Sequence, residues 1–280
     1  MGTTVHDYRS TTALVTGASK GIGLATATAL ARRGADLVLV ARSRTTLDGI
    51  AERLRADHGV SVRVIPADLA DPDGVQKVLE GLRAGGITVD LLVNNAGTGS
   101  VGPHLERPLR PQLDSVSLNI STLLTLTHHI GAGMRARGSG GIINIASTAA
   151  FQPMPYQASY AATKAFALSF SEALAEELRG SGVRVMVAHP GATATNFFDG
   201  TSAEIAAGLA DSAEDVAEDV LDDYARGRTA SYPGRAVNRV GTFVARALPR
   251  RTVTRLTGAL NRKLGFHLAQ DTAASHHPRS

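Results

Sequence analysis

From residue 12 to about residue 190 the chain alternates two kinds of apolar stretch. The short runs ALVTG, DLVLVA, VRVIPAD, DLLVNNAG, GIINIAS and VRVMVAHPG put Val, Ile and Leu on consecutive positions. Continuous apolarity in a strand means that both faces of its sheet are covered. The longer stretches IGLATATALARRG, TTLDGIAERLRAD and AFALSFSEALAEELRGSG read as helices. Such alternation implies right-handed crossovers and predicts an α/β fold: one doubly wound domain with a parallel sheet flanked by helices on both faces. A further helix is predicted over SAEDVAEDVLDDYARG, capped by Ser212 with Asp215 three positions on. Past this core, Val253, Leu256, Leu260 and Leu264 recur at helical spacing among Arg246, Arg250, Arg251, Arg255, Arg262 and Lys263. The expected organisation is a domain over 1–235, a basic amphipathic helical extension over 236–270 and a disordered tail over 271–280.

Composition narrows the chemistry. A chain of 280 residues, 43% hydrophobic and 19% charged, can bury a sizeable core. It has no cysteine, so disulfides and thiolate catalysis are excluded and a zinc site would need His and carboxylate ligands alone. His128 and His129 are adjacent, but consecutive helical positions point in different directions; no metal is assigned. No apolar run reaches the roughly 18 residues of a membrane span, and MGTTVHDYRS lacks the apolar core of a signal peptide. A soluble, cytoplasmic protein is expected. The net charge of +4 divides unevenly: from Arg226 onward there are eleven Lys/Arg and one acid, Asp271, giving +10 there and −6 elsewhere. Few aromatics accompany this charge and no nucleic-acid module is recognisable, so no nucleic-acid partner is expected. A basic amphipathic helix could lie on an anionic membrane surface, cover the active site, form a subunit contact or pack as an ordinary solvated helix.

Ligands of doubly wound sheets bind beyond the carboxyl ends of the strands. After the first strand comes TGASKGIG, with Gly17, Gly21 and Gly23 where a tight turn enters a helix. Missing side chains let backbone N–H groups approach a pyrophosphate at the positive helix end. Three glycines can also simply make a turn; their place in the alternation favours a nucleotide and a Rossmann-type domain. The second strand ends in Ala41 and Arg42, where an NAD site usually carries an acid, and Lys20 stands inside the glycine loop. Two cations without a carboxylate favour a 2′-phosphate, hence NADP(H); Arg42 as a solvated surface residue is the alternative. Asp68, after the third strand, could accept from an adenine amino group or cap a helix near Pro72.

TGASKGIG, NNAG at 94–97, Ser147, Tyr160-x-x-x-Lys164 and Pro190–Gly191 together resemble the short-chain dehydrogenase/reductase family in its simple, non-extended branch. The likeness runs over roughly residues 10 to 232, with all five motifs in order. It implies a catalytic tetrad of Asn119, Ser147, Tyr160 and Lys164, with Asn119 and a backbone kink holding a water that links the lysine to solvent. It implies cofactor contacts from Gly17, Ser19, Lys20, Gly21, Ile22, Gly23, Arg42, Asp68, Leu69, Asn95, Ala96 and Gly97, and from Tyr160, Lys164, Pro190, Gly191, Thr193 and Thr195. Position 193 is Thr where the family often has an aliphatic residue. The family's variable substrate lid corresponds to about 192–212, and a homo-oligomer is expected.

Carbonyl reduction needs a hydride on carbon and a proton on oxygen; the cofactor gives the first and an acid must give the second. Free tyrosine titrates near ~10. Lys164, one turn on, is expected to stabilise tyrosinate and lower that value. Ser147 would hold the substrate oxygen beside Tyr160. Phe197 and Phe198, with Phe151, Met154 and Tyr156, offer apolar surface for a hydrophobic carbonyl or alcohol, or are packing residues. The competing expectation is a non-catalytic NADP(H)-binding regulator or a membrane-associated scaffold.

Overall fold

A computed structural model of the chain describes residues 8–194 and 210–269. The six apolar runs are strands β1 (Thr12–Thr16), β2 (Asp36–Ala41), β3 (Val62–Pro66), β4 (Leu91–Asn94), β5 (Gly140–Ile145) and β6 (Val183–Ala188). A two-residue β7 (Ala230–Ser231) pairs with β6; it is too short to leave any periodicity in the sequence. All pairings are parallel, in the order β3-β2-β1-β4-β5-β6-β7. The chain builds outward from β1 to β3, then returns to lay β4 on the other side of β1. That reversal opens a crevice at the carboxyl edge between β1 and β4.

Helices α1 (Gly21–Arg32), α2 (Arg44–His58) and α7 (Ala213–Ala225) cover one face; α3 (Pro72–Ala84), α5 (Thr122–Arg137) and α6 (Ala158–Glu177) cover the other. Alternation along the pleat explains the continuous apolar runs. Ala13 and Val15 pack with Leu30 of α1 and Leu47 of α2, whereas Leu14 packs with Val78 of α3 and Leu126 of α5. Ser212 caps α7 by accepting from Asp215 N at 3.0 Å, as anticipated.

At Asn119, where the resemblance implies a backbone kink, a π-helical turn, Ser117–Ser121, joins α4 (Leu109–Val116) to α5. The basic extension is two helices rather than one, α8 (Ala236–Ala247) and α9 (Arg250–Lys263). Pro249 separates them: it lacks an N–H and forces Leu248 into extended backbone, ψ 152°. Thr195, Phe197, Phe198, most of the 192–212 segment and the 271–280 tail lie outside the described residues.

Candidate active site

The glycine loop joins β1 to α1 at the carboxyl edge. Gly17 and Gly21 take left-handed backbone, φ +66° and +55°, which side chains resist. A Cβ on Gly23 would stand 2.3 Å from the Gly17 carbonyl oxygen. The loop is therefore closed to side chains, and the start of α1 presents bare backbone, as a pyrophosphate site requires. Asn95 holds this shape from beside it, its amide donating to Thr16 O at 2.9 Å. The Thr16 hydroxyl accepts from Asn95 N and Ala96 N at 3.0 and 2.9 Å. Asn95 thus spends its side chain on the loop, leaving backbone to any adenosine.

Ala18 N bonds Val40 O at 3.2 Å, bringing the loop against the end of β2. Lys20, at the N-cap of α1, and Arg42, between β2 and α2, are both exposed there. Ser19 and Ile22 are partly buried in the same turn. Asp68 does not cap α3; Asp71 does, accepting from Asp73 N, while Asp68 accepts from Ala70 N at 3.1 Å. Leu69 is buried in the core, so it can reach a nucleotide only through its backbone.

The second cluster lies past β5. Ser147 stands two residues past that strand and is buried; its hydroxyl accepts from Ala149 N at 3.1 Å. Thr148 N bonds Pro190 O at 3.0 Å, fixing the serine against Pro190–Gly191. From α6, Tyr160 hydrogen-bonds the Ser147 side chain. One turn later Lys164, 6% exposed, donates from Nζ to Ile145 O at 2.8 Å, and its ammonium lies 5.8 Å from the Tyr160 ring centroid. Asn119 reaches the same place from the π-helical turn, where its Nδ2 donates to Thr98 O at 2.8 Å and Thr163 Oγ1 at 2.9 Å. Its Oδ1 accepts from Thr98 N at 3.0 Å. Gly97 fits between these groups: a Cβ there would stand 3.1 Å from Asn119 Oδ1 and 3.4 Å from Lys164 Nζ. The four residues of the expected tetrad, far apart in sequence, thus adjoin one another and the NNAG turn.

The electrostatics correct one expectation. The phenol of Tyr160 is pushed up to about 12, by burial first, with the Ser147 hydrogen bond pulling the other way. Lys164 is pushed down to about 8 by burial. Both charged forms lose solvation on burial, so the neighbouring ammonium does not bring the phenol below its ordinary value in the protein alone.

Thr193 turns its hydroxyl to Gly191 O at 3.2 Å and bridges Asp211. Phe151 packs edge-on to His189 at 4.7 Å and lies under the Arg246 guanidinium of α8, which makes it a packing residue. Thr163, Thr98 and the buried pair Asn94–Asn144, bonded at 2.9 Å, escape sequence reasoning. A lone Thr or Asn carries no signal until its partner is known.

The model of the short chain dehydrogenase family matches residues 11–206. The human very-long-chain 3-oxoacyl-CoA reductase is 36% identical over 188 residues, 65% of this chain and 59% of that enzyme. The chain thus spans less than two thirds of that relative's length. Among solved structures, a short-chain dehydrogenase from Sphingobium yanoikuyae in complex with NADPH superposes with a TM-score of 0.77 at 33% identity, covering 84% of this chain and 92% of that one. A bulky-bulky ketone specific alcohol dehydrogenase from Comamonas testosteroni gives a TM-score of 0.75 at 32% identity, covering 85% and 91%. With the family model matched over more than half its length and the motifs gathered at one edge of the sheet, this chain belongs to the short-chain dehydrogenase family.

Proposed function

We propose that the protein is an NADP(H)-dependent oxidoreductase that reduces a hydrophobic ketone or aldehyde to an alcohol. The observation that carries this reading is the Ser147–Tyr160 hydrogen bond set over the buried Lys164 ammonium, beside Gly97 of the NNAG turn. The glycine loop fits a dinucleotide, since its closed cradle leaves only backbone at the start of α1. Gly17, Gly21 and Gly23 would hold the pyrophosphate, and Lys20 and Arg42 a 2′-phosphate. NADPH in the Sphingobium relative supports that choice.

When bound, the nicotinamide supplies the hydride taken up by the carbonyl carbon. The chain supplies the rest. Ser147 donates a hydrogen bond to the carbonyl oxygen and Tyr160 transfers its proton to that oxygen, giving a neutral alcohol. Lys164 then faces the tyrosinate left behind and stabilises it. A phenol held at about 12 is fully protonated at neutral pH, which suits the acid of a reduction. For the reverse reaction Tyr160 would have to be ionised first, which the Lys164 ammonium and the positive charge of a bound oxidised nicotinamide would favour. The apolar preference draws support from the ketone-specific Comamonas relative and from the acyl chains named in the human one.

The test is NADPH oxidation against a panel of carbonyls. Tyr160→Phe should lower kcat by about 10²–10⁴-fold with NADPH affinity nearly unchanged. Equal turnover in the variant would remove the mechanism, and NADPH binding without turnover of any carbonyl would leave the regulator reading standing.

A further inference from the structure

Helices α8 and α9 are built inside out. On α8, Val237, Val240 and Phe243 are 68%, 58% and 54% exposed, while the buried residue is Thr242. Its arginines, though exposed, lie against rings of the domain: Arg239 over Tyr232 and Arg246 over Phe151, 5.7 and 4.8 Å from the centroids. On α9, Leu256 and Leu260 are 58% and 55% exposed. That helix buries only Val253 of its apolar series and otherwise docks through polar groups, Asn261 Nδ2 donating to Pro155 O at 2.7 Å and Thr257 Oγ1 to Pro153 O at 2.9 Å. A helix meant for water faces its apolar side to its own domain. Here, Val253 apart, both helices hold the domain with polar side chains and cation–ring contacts and leave most of their large apolar side chains outward.

The charge identifies what covers them. Residues 236–264 contain seven Lys/Arg and no Asp or Glu. Arg250, Arg251, Arg255 and Lys263 are exposed, and among the described residues none is ion-paired. A second copy of this face would set cations against cations. A surface that is apolar below and phosphate-bearing at its edge satisfies both properties at once. At 12 and 14 residues the helices are about 18 and 21 Å long, and no described helix is long and apolar enough to cross a membrane. They lie on the surface rather than span it.

We propose that α8 and α9 dock this protein on a bilayer containing anionic lipids, the outward valines, leucines and Phe243 entering the acyl boundary and the arginines meeting headgroup phosphates. Because α9 also braces Pro153 and Pro155, the segment joining Ser147 to Tyr160 then lies one helix from the lipid.

Flotation of the full chain with vesicles of phosphatidylcholine alone, or of phosphatidylcholine and phosphatidylglycerol in equal parts, tests this. Partitioning onto the anionic vesicles should exceed that onto the neutral ones by about tenfold or more and fall with added salt. Val240→Asp with Leu260→Asp, and separately Arg251→Gln with Arg255→Gln, should each cut anionic-vesicle binding by about tenfold. Both pairs should melt as the wild type does; if the aspartates lower the melting temperature, the glutamine pair carries the test. Equal binding to both vesicle types, or to neither, overturns the proposal. So does a lipid-free dimer that the aspartate pair dissolves in sedimentation velocity, which would make the face a subunit contact.

Discussion

Replacing Lys164 by Met should stabilise the cofactor-free protein at pH 7 while abolishing catalysis. Burial holds the lysine at about 8 instead of 10.5, a difference worth about 3 kcal/mol. Between those values the unfolded chain binds the proton more readily than the folded one, so stability rises with pH. The penalty is fully present below about pH 8 and is relieved as pH climbs towards 10.5. Met keeps the stem and removes the charge. Against that gain, Ile145 O loses the 2.8 Å bond from Nζ, which costs about 1–2 kcal/mol for a buried carbonyl. The net gain is about 2 kcal/mol at pH 7. At pH 9.5 the wild-type penalty has shrunk to about 1 kcal/mol and the two proteins should be nearly equal. With no tryptophan in the chain, urea unfolding followed by far-ultraviolet circular dichroism is the assay. A variant less stable than wild type at pH 7, or one whose margin persists at pH 9.5, would refute the picture of a desolvated ammonium.

Arg42→Ala should weaken NADPH about tenfold or more, the worth of one charged phosphate contact, and leave NADH within about twofold; equal losses in titration calorimetry would show the 2′-phosphate assignment to be mistaken. His189 is wholly buried beside Phe151 and Tyr232, and burial pushes it down to about 4. The fold therefore keeps it neutral and loses about 3 kcal/mol as pH falls from above 6.5 to 4. His189→Leu should flatten that acid limb in urea midpoints measured at pH 4.5 and 7, and an unchanged limb would assign acid sensitivity to other groups.

The sequence by itself determined the strands, because a strand covered on both faces must be apolar at consecutive positions, as in DLVLVA and GIINIAS. It also located the site, since the glycine loop, the NNAG turn and Ser147 each follow such a run directly. Asn119 was legible only through resemblance, because its partners Thr98 and Thr163 come from other elements. Tertiary structure alone decided how the ionisable groups behave. The i to i+4 spacing of Tyr160 and Lys164 guarantees proximity, but pKa follows solvation, and solvation depends on what packs around both groups from β5, the π-helical turn and the NNAG segment. The extension teaches the same lesson in reverse. Helical periodicity announces that an apolar side exists; which side meets the domain is settled by competing partners, and here the Pro153 and Pro155 carbonyls and the Tyr232 and Phe151 rings capture the polar side chains. Val237, Val240, Leu256 and Leu260 are left facing out, while Val253 is buried, because a one-dimensional pattern contains no information about where those partners will stand.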